Sequence, residues 1–135
     1  MGVNYKGFKI VFLILISAHI SFAQKTAPVY SLCGKTGDCS MTWDEFSKCK
    51  KELVATNKGL SIGSFILTIT KLNKKDSVYV EFPAKGNAFS KSALETIEQL
   101  HKDKKLGTKM LIEAVQVLES GKEAKKVSGM VIMLN

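Results

Sequence analysis

The apolar run Ile10-Val-Phe-Leu-Ile-Leu-Ile16 follows closely on Lys6 and Lys9, and it is followed by Ser21-Phe-Ala-Gln24. A basic stretch, a short apolar stretch and a small-x-small site form the pattern of a secretory signal peptide, with Ser21 and Ala23 at −3 and −1. A membrane span needs about 20 apolar residues, and here polar residues and His19 interrupt the run first. The sequence therefore predicts a signal peptide over 1–23, cleaved before Gln24, and no stable membrane span afterwards. Cys33 follows Leu32 and lies far from the apolar run, which argues against a lipoprotein. Removing residues 1–23 from the 135 leaves 112, enough for one core that buries roughly two-thirds of the unfolded chain's surface. The predicted location is periplasmic or secreted.

Composition narrows the functional classes. The chain carries 20 basic and 12 acidic residues, a formal +8, and every basic residue is Lys. Loss of Lys6 and Lys9 takes the mature charge to +6. Arg supplies the common bidentate contacts to guanine and phosphate, so its absence argues against a nucleic-acid partner. Apolar residues at 45% and charged residues at 24% exclude a disordered tail, a collagen-like repeat and a multispan membrane protein.

Hydropathy patterning predicts an α+β, mostly β domain: a small antiparallel or sandwich-like sheet with one or two short helices. Residues 24–40 are polar and contain Gly, and read as a flexible leader, with the folded domain over 41–135. Thr42 and Glu45 form a capping box that opens a helix over about 43–51, with a strand near 53–56 behind it. Residues 60–70 read as a strand with Phe65, Leu67 and Ile69 on one face. Residues 77–82 alternate, with Val78, Val80 and Phe82 together, and Pro83 ends that strand or assigns it to an edge. A helix follows over 90–101. Its expected cap is Ser92 with Glu95, and its expected buried stripe is Leu94, Ile97 and Leu100 or His101. Strands over 110–118 and 127–134 form a hairpin across Glu119-Ser-Gly-Lys122.

Cys33, Cys39 and Cys49 are the disulfide candidates, since an exported protein meets an oxidising compartment. Cys33–Cys39 and Cys39–Cys49 are both open pairings, and the odd count leaves one thiol over. The five- and nine-residue intervals are not C-x-x-C, so no metal is expected, and no cofactor motif is present. A Ser-His-Asp arrangement would have to use His101, on or beside the apolar stripe of a Lys-rich helix. H-E-x-x-H, G-x-S-x-G and P-loop patterns are absent. The chain therefore reads as non-catalytic. Trp43 is a candidate partner anchor if its helix face is exposed, and a core residue packed with Phe46 if not.

Several features of the second half recur in a fixed order. They are the strand Ser64-Phe-Ile-Leu-Thr-Ile69, the corner Lys85-Gly-Asn-Ala-Phe-Ser90 opening a helix, the segment 106–117, and Ser120-Gly-Lys122 before a closing apolar strand. Together they resemble the C-terminal β-domain of GldM/PorM, periplasmic subunits of the gliding-motility and type IX secretion machinery of Bacteroidota. Ser64, Phe65, Gly86, Asn87, Gly107 and Gly121 carry the resemblance as fold markers, with Gly86, Asn87 and Gly107 suited to positive φ at tight corners and Gly121 closing the last hairpin. Thr108 stands where that family commonly has Asp, and its members are far longer chains. The resemblance implies an exported interaction module with an envelope protein partner, accessory to that machinery. The alternative is a free-standing secreted binding domain: a periplasmic sensor, an inhibitor or a glycan binder.

Overall fold

The structure, a computed structural model, describes residues 29–72, 77–103 and 107–135. The predicted signal peptide, residues 24–28 of the predicted leader and most of the 72–76 turn lie outside the described residues. The chain is α+β and mostly β. Strands β1 (Tyr30–Leu32), β2 (Cys39–Met41), β3 (Leu53–Ala55), β4 (Leu60–Leu72), β5 (Ser77–Lys85), β6 (Thr108–Glu119), β7 (Lys125–Val127) and β8 (Met130–Leu134) are joined by helices α1 (Trp43–Lys48) and α2 (Lys91–Lys102). The large sheet runs β2-β8-β6-β4-β5, with β7 also on β6, and β1 pairs with β3 in a second, two-stranded sheet.

Period-two alternation sets the faces of the large sheet. Leu67 lies opposite Phe82 on β5 and Ile112 on β6, and Ile112 lies opposite Met130 on β8. Ile69 likewise joins Val80, Met110 and Ile132 in a neighbouring row. Phe65, Leu67 and Ile69 are all buried, as the alternation predicts. The core they share takes Trp43 and Phe46 from α1, Ala93, Ile97 and Leu100 from α2, and Tyr30, Leu32 and Leu53 from the small sheet. The opposite face carries Thr68, whose hydroxyl donates to Glu113 Oε2 at 3.3 Å, and the exposed Tyr79, Glu81 and Glu113. One sheet face thus packs on the helices and the small sheet, while the other carries Thr68 and Thr70, both buried, between these exposed side chains.

The leader reading is corrected by β1 and β2. Residues 29–40 are folded, with Tyr30 and Leu32 inside the core. Each strand is three residues long, too short for a period to register. Moreover, β2 is held by parallel pairing with β8, almost a whole domain away in sequence.

The capping box at Thr42 forms as expected: Glu45 N–H donates to Thr42 Oγ1 at 3.1 Å, and Thr42 N–H donates to Glu45 Oε2 at 2.8 Å. Helix α1 stops at Lys48, short of the expected 51. The reason is Lys51, whose ammonium donates to the carbonyls of Phe46, Ser47 and Cys49 and so satisfies the helix end. Helix α2 is capped by Ser90, not by Ser92 with Glu95; Ser90 Oγ accepts from Ala93 N–H at 3.3 Å. That start turns Ala93, Ile97 and Leu100 inward and leaves Leu94 39% exposed. The expected single strand over 127–134 is broken at Ser128–Gly129, opposite an irregularity at Ala114, where φ is 48°.

Tyr30 gives the fold a pH signature. Its hydroxyl donates to the Ser128 carbonyl at 2.9 Å. Burial first, then the charge of Asp38, pushes its pKa up from 10.0 to about 12. The unfolded chain releases this proton near pH 10.0 while the folded chain holds it to about 12. The stability it lends is therefore complete below pH 10 and is lost as pH rises through the folded value. Alkaline unfolding followed by Trp43 emission should steepen above about pH 10, and Tyr30→Phe should flatten that limb. An identical limb in the variant would remove Tyr30 as its source.

Candidate interaction surface

The large sheet ends in β5, and among the described residues no strand pairs with its outer side. The hydrogen-bond phase of this edge follows from two observations. Gly86 N–H donates to Gly63 O at 2.7 Å, in register with the β4–β5 pairs. Pro83, opposite Ile66, has no N–H to offer. Even-numbered residues therefore direct their backbone groups toward β4, and Ser77, Tyr79 and Glu81 direct theirs outward. Pro83 interrupts the outward row, since its position lacks the donor, so the continuous edge is 77–82. Edge strands tolerate Pro only on such an outward phase. Tyr79 is 67% exposed and stands mid-edge, the most exposed large hydrophobic side chain described. The sequence reading passed over Tyr79; the available signal was an aromatic on the polar side of the 77–82 alternation.

The opposite edge is less open. Strand β2 has three residues; Lys35 Nζ donates to Ser40 O at 3.0 Å, and Asp38 Oδ1 accepts from Val131 N–H at 2.8 Å. A shallow depression there is lined by Asp38, Cys39, Ser40, Val131 and Met133. Burial raises the Cys39 thiol pKa, Lys35 lowers it and Asp38 raises it again.

The cysteine expectation is corrected. The disulfide joins Cys33 to Cys49, with Cα atoms 5.3 Å apart, and Cys39 is the free thiol. Neither expected pairing forms, because Cys39 is held on β2 beside Ile132. Cys33 lies in a positive-φ turn after β1 (φ 54°), and Cys49 is the C-cap of α1. The Trp43 anchor is corrected too. Trp43 is buried with Phe46, and its indole stacks on His101, with ring centroids 5.1 Å apart and planes within 2°. Its Nε1 is buried without a hydrogen-bond partner among the described residues.

The fold markers are dispersed. Ser64 and Phe65 lie mid-β4, with Phe65 against Phe89 at 5.9 Å. Gly86 (φ 77°) turns the chain out of β5, and Asn87 O then accepts from Leu53 N–H at 2.8 Å, tying the small sheet to this corner. Gly107 and Gly121 also have positive φ, whereas Asn87 does not, because Gly86 alone makes the turn. They do not converge on one surface: Gly86 and Asn87 adjoin the end of β5, and Gly121 is at the β6–β7 tip. Among the described residues no group of His, Cys, Asp and Glu is arranged to hold a metal ion, and no helix is long and apolar enough to cross a membrane. No protein-family model matches the chain, and no curated protein matches it.

Proposed function

We propose that this chain is an exported, non-catalytic protein-interaction module of a Bacteroidota-type cell envelope, accessory to the gliding and type IX secretion machinery, and that it captures a partner strand along β5. The observation that carries the reading is the outward row of Ser77, Tyr79 and Glu81 on an edge that no described strand pairs with. An added strand would complete that row, and pockets between alternate side chains would give specificity. The signal-like leader and the Cys33–Cys49 disulfide support an oxidising compartment. The resemblance of residues 60–135 to the GldM/PorM C-terminal domain supports the choice of machinery.

The test is an in-cell crosslink and pull-down of a C-terminally tagged copy, read by mass spectrometry together with its N-terminus. The expected result is recovery of gliding or type IX secretion subunits, an N-terminus at Gln24, and loss of recovery for Tyr79→Pro. Recovery of no envelope complex would overturn the machinery assignment and move the function to the free-standing binding domain.

A further inference from the structure

We infer that the strand captured by β5 is β5 of a second copy of this chain, in antiparallel pairing centred on Tyr79. This inference rests on the reading of β5 as the capturing edge, and it makes the paired sheet of two copies, not β5 of one copy, the surface that the envelope protein needs. Its basis is that the edge is self-complementary in one register. Outward backbone groups belong to the odd-numbered residues, so a two-fold pairing must set odd against odd. With Tyr79 opposite Tyr79, Ser77 faces Glu81 and Glu81 faces Ser77. Every outward group between 77 and 82 is then paired within the described strand. Shifting the centre to residue 80 sets Ser77 against Pro83, which has no N–H. Centring on residue 81 sets Glu81 against Glu81 and Tyr79 against Pro83. Like charges directly opposite are destabilising. Centring on residue 78 pairs only Ser77 with Tyr79 among the described residues and leaves Glu81 without a described partner. The register at 79 alone avoids the proline, keeps each carboxylate opposite an uncharged position, and uses every outward group of the described edge before Pro83.

The same register disposes of Tyr79. Its side chain lies on the face away from the core with 67% of its surface exposed. Across the two-fold it meets its own copy on the same face of a now continuous sheet, an aromatic cross-strand pair of the kind that stabilises sheets. A different protein would gain the backbone bonds but has no requirement to present an aromatic there.

The experiment combines solution mass with register-specific crosslinking of the full chain in a Cys39→Ser background. Light scattering should give twice the chain mass for the parent and the chain mass for Tyr79→Pro. Tyr79→Pro keeps the β4 pairing because its N–H faces outward, and unchanged Trp43 emission checks that it folds. Residues exchanging both bonds have Cα atoms about 5.5 Å apart, within the range a disulfide spans. Tyr79→Cys should therefore oxidise to a covalent dimer. Glu81→Cys alone should not, and Ser77→Cys mixed with Glu81→Cys should. A dimer that survives Tyr79→Pro, or crosslinks only through Glu81→Cys, overturns the inference. A monomer that still pulls down an envelope protein through β5, and loses it with Tyr79→Pro, overturns the second copy but leaves the capturing edge standing. A monomer whose pull-down is indifferent to Tyr79→Pro overturns both.

Discussion

Gly129→Ala is expected to be among the most damaging single substitutions in this chain. A Cβ at Gly129 would lie 2.2 Å from the carbonyl oxygen of Ile112 and 3.3 Å from its carbonyl carbon. The obstacle is backbone, so no rotamer change relieves it. Ile112 is fully buried and pairs with Met130, so it cannot retreat without opening the β6–β8 ladder. Overpacking a tight site costs about 1–3 kcal/mol and sometimes more. Separation of the ladder at the centre of the core argues for the upper end, about 3 kcal/mol. For a domain near this size that corresponds to a fall in Tm of roughly 10–20 °C. Gly121→Ala is the control. Unlike Gly129 it has positive φ (75°), and open space surrounds its Cβ position. It should lose only about 1 kcal/mol, the cost of an L side chain in the left-handed region. Equal Tm values for the two variants would show that close approach at Gly129 does not govern stability.

Gly129 also marks where a sequence stops being legible. Val127 and the continuous apolar run Met130 to Leu134 read as one strand, and the Ser128–Gly129 dipeptide, a turn signal in itself, does not say that the strand must give way there. The break answers Ala114 on the neighbouring strand (φ 48°), a long-range constraint. What was legible has local causes. The Thr42 box needs only residues 42 to 45, the β4 face only its own alternation, and the Gly86 turn only its own backbone freedom. Pro83 announced an edge because a missing N–H is a property of that one residue. Helix α2 was legible as a helix but not in its phase. Ser90 and Ser92 are both good caps, and choosing Ser92 exchanges Ala93 for Leu94 on the buried face. The candidate site divides along the same line. An edge at 77–82 could be read, whereas the burial of Trp43 against His101 required α1 and α2 to meet.

The second large effect is expected on removing the Cys33–Cys49 disulfide. The bond spans 16 residues, and closing a loop of about that length lowers the unfolded chain's entropy by an amount worth about 3 kcal/mol at 25 °C. The small sheet makes this loss consequential. It has only the three-residue strands β1 and β3, and a two-stranded unit is marginal alone. The disulfide fastens the turn after β1 to the end of α1, the same end that Lys51 holds through the carbonyls of Phe46, Ser47 and Cys49. Cys33→Ala with Cys49→Ala should therefore lower stability by about 3 kcal/mol. Reduction of the parent should do the same, with Trp43 emission changing because α1 carries that residue. Cys39→Ser should cost less than about 1 kcal/mol, since no bond is broken and the site is only partly buried. Alkylation of the native protein followed by peptide mapping should label Cys39 alone, slowly at neutral pH because burial raises its thiol pKa. Label on Cys33 or Cys49 would refute the pairing. A Cys39→Ser variant as unstable as the double alanine would assign the structural bond to Cys39 instead.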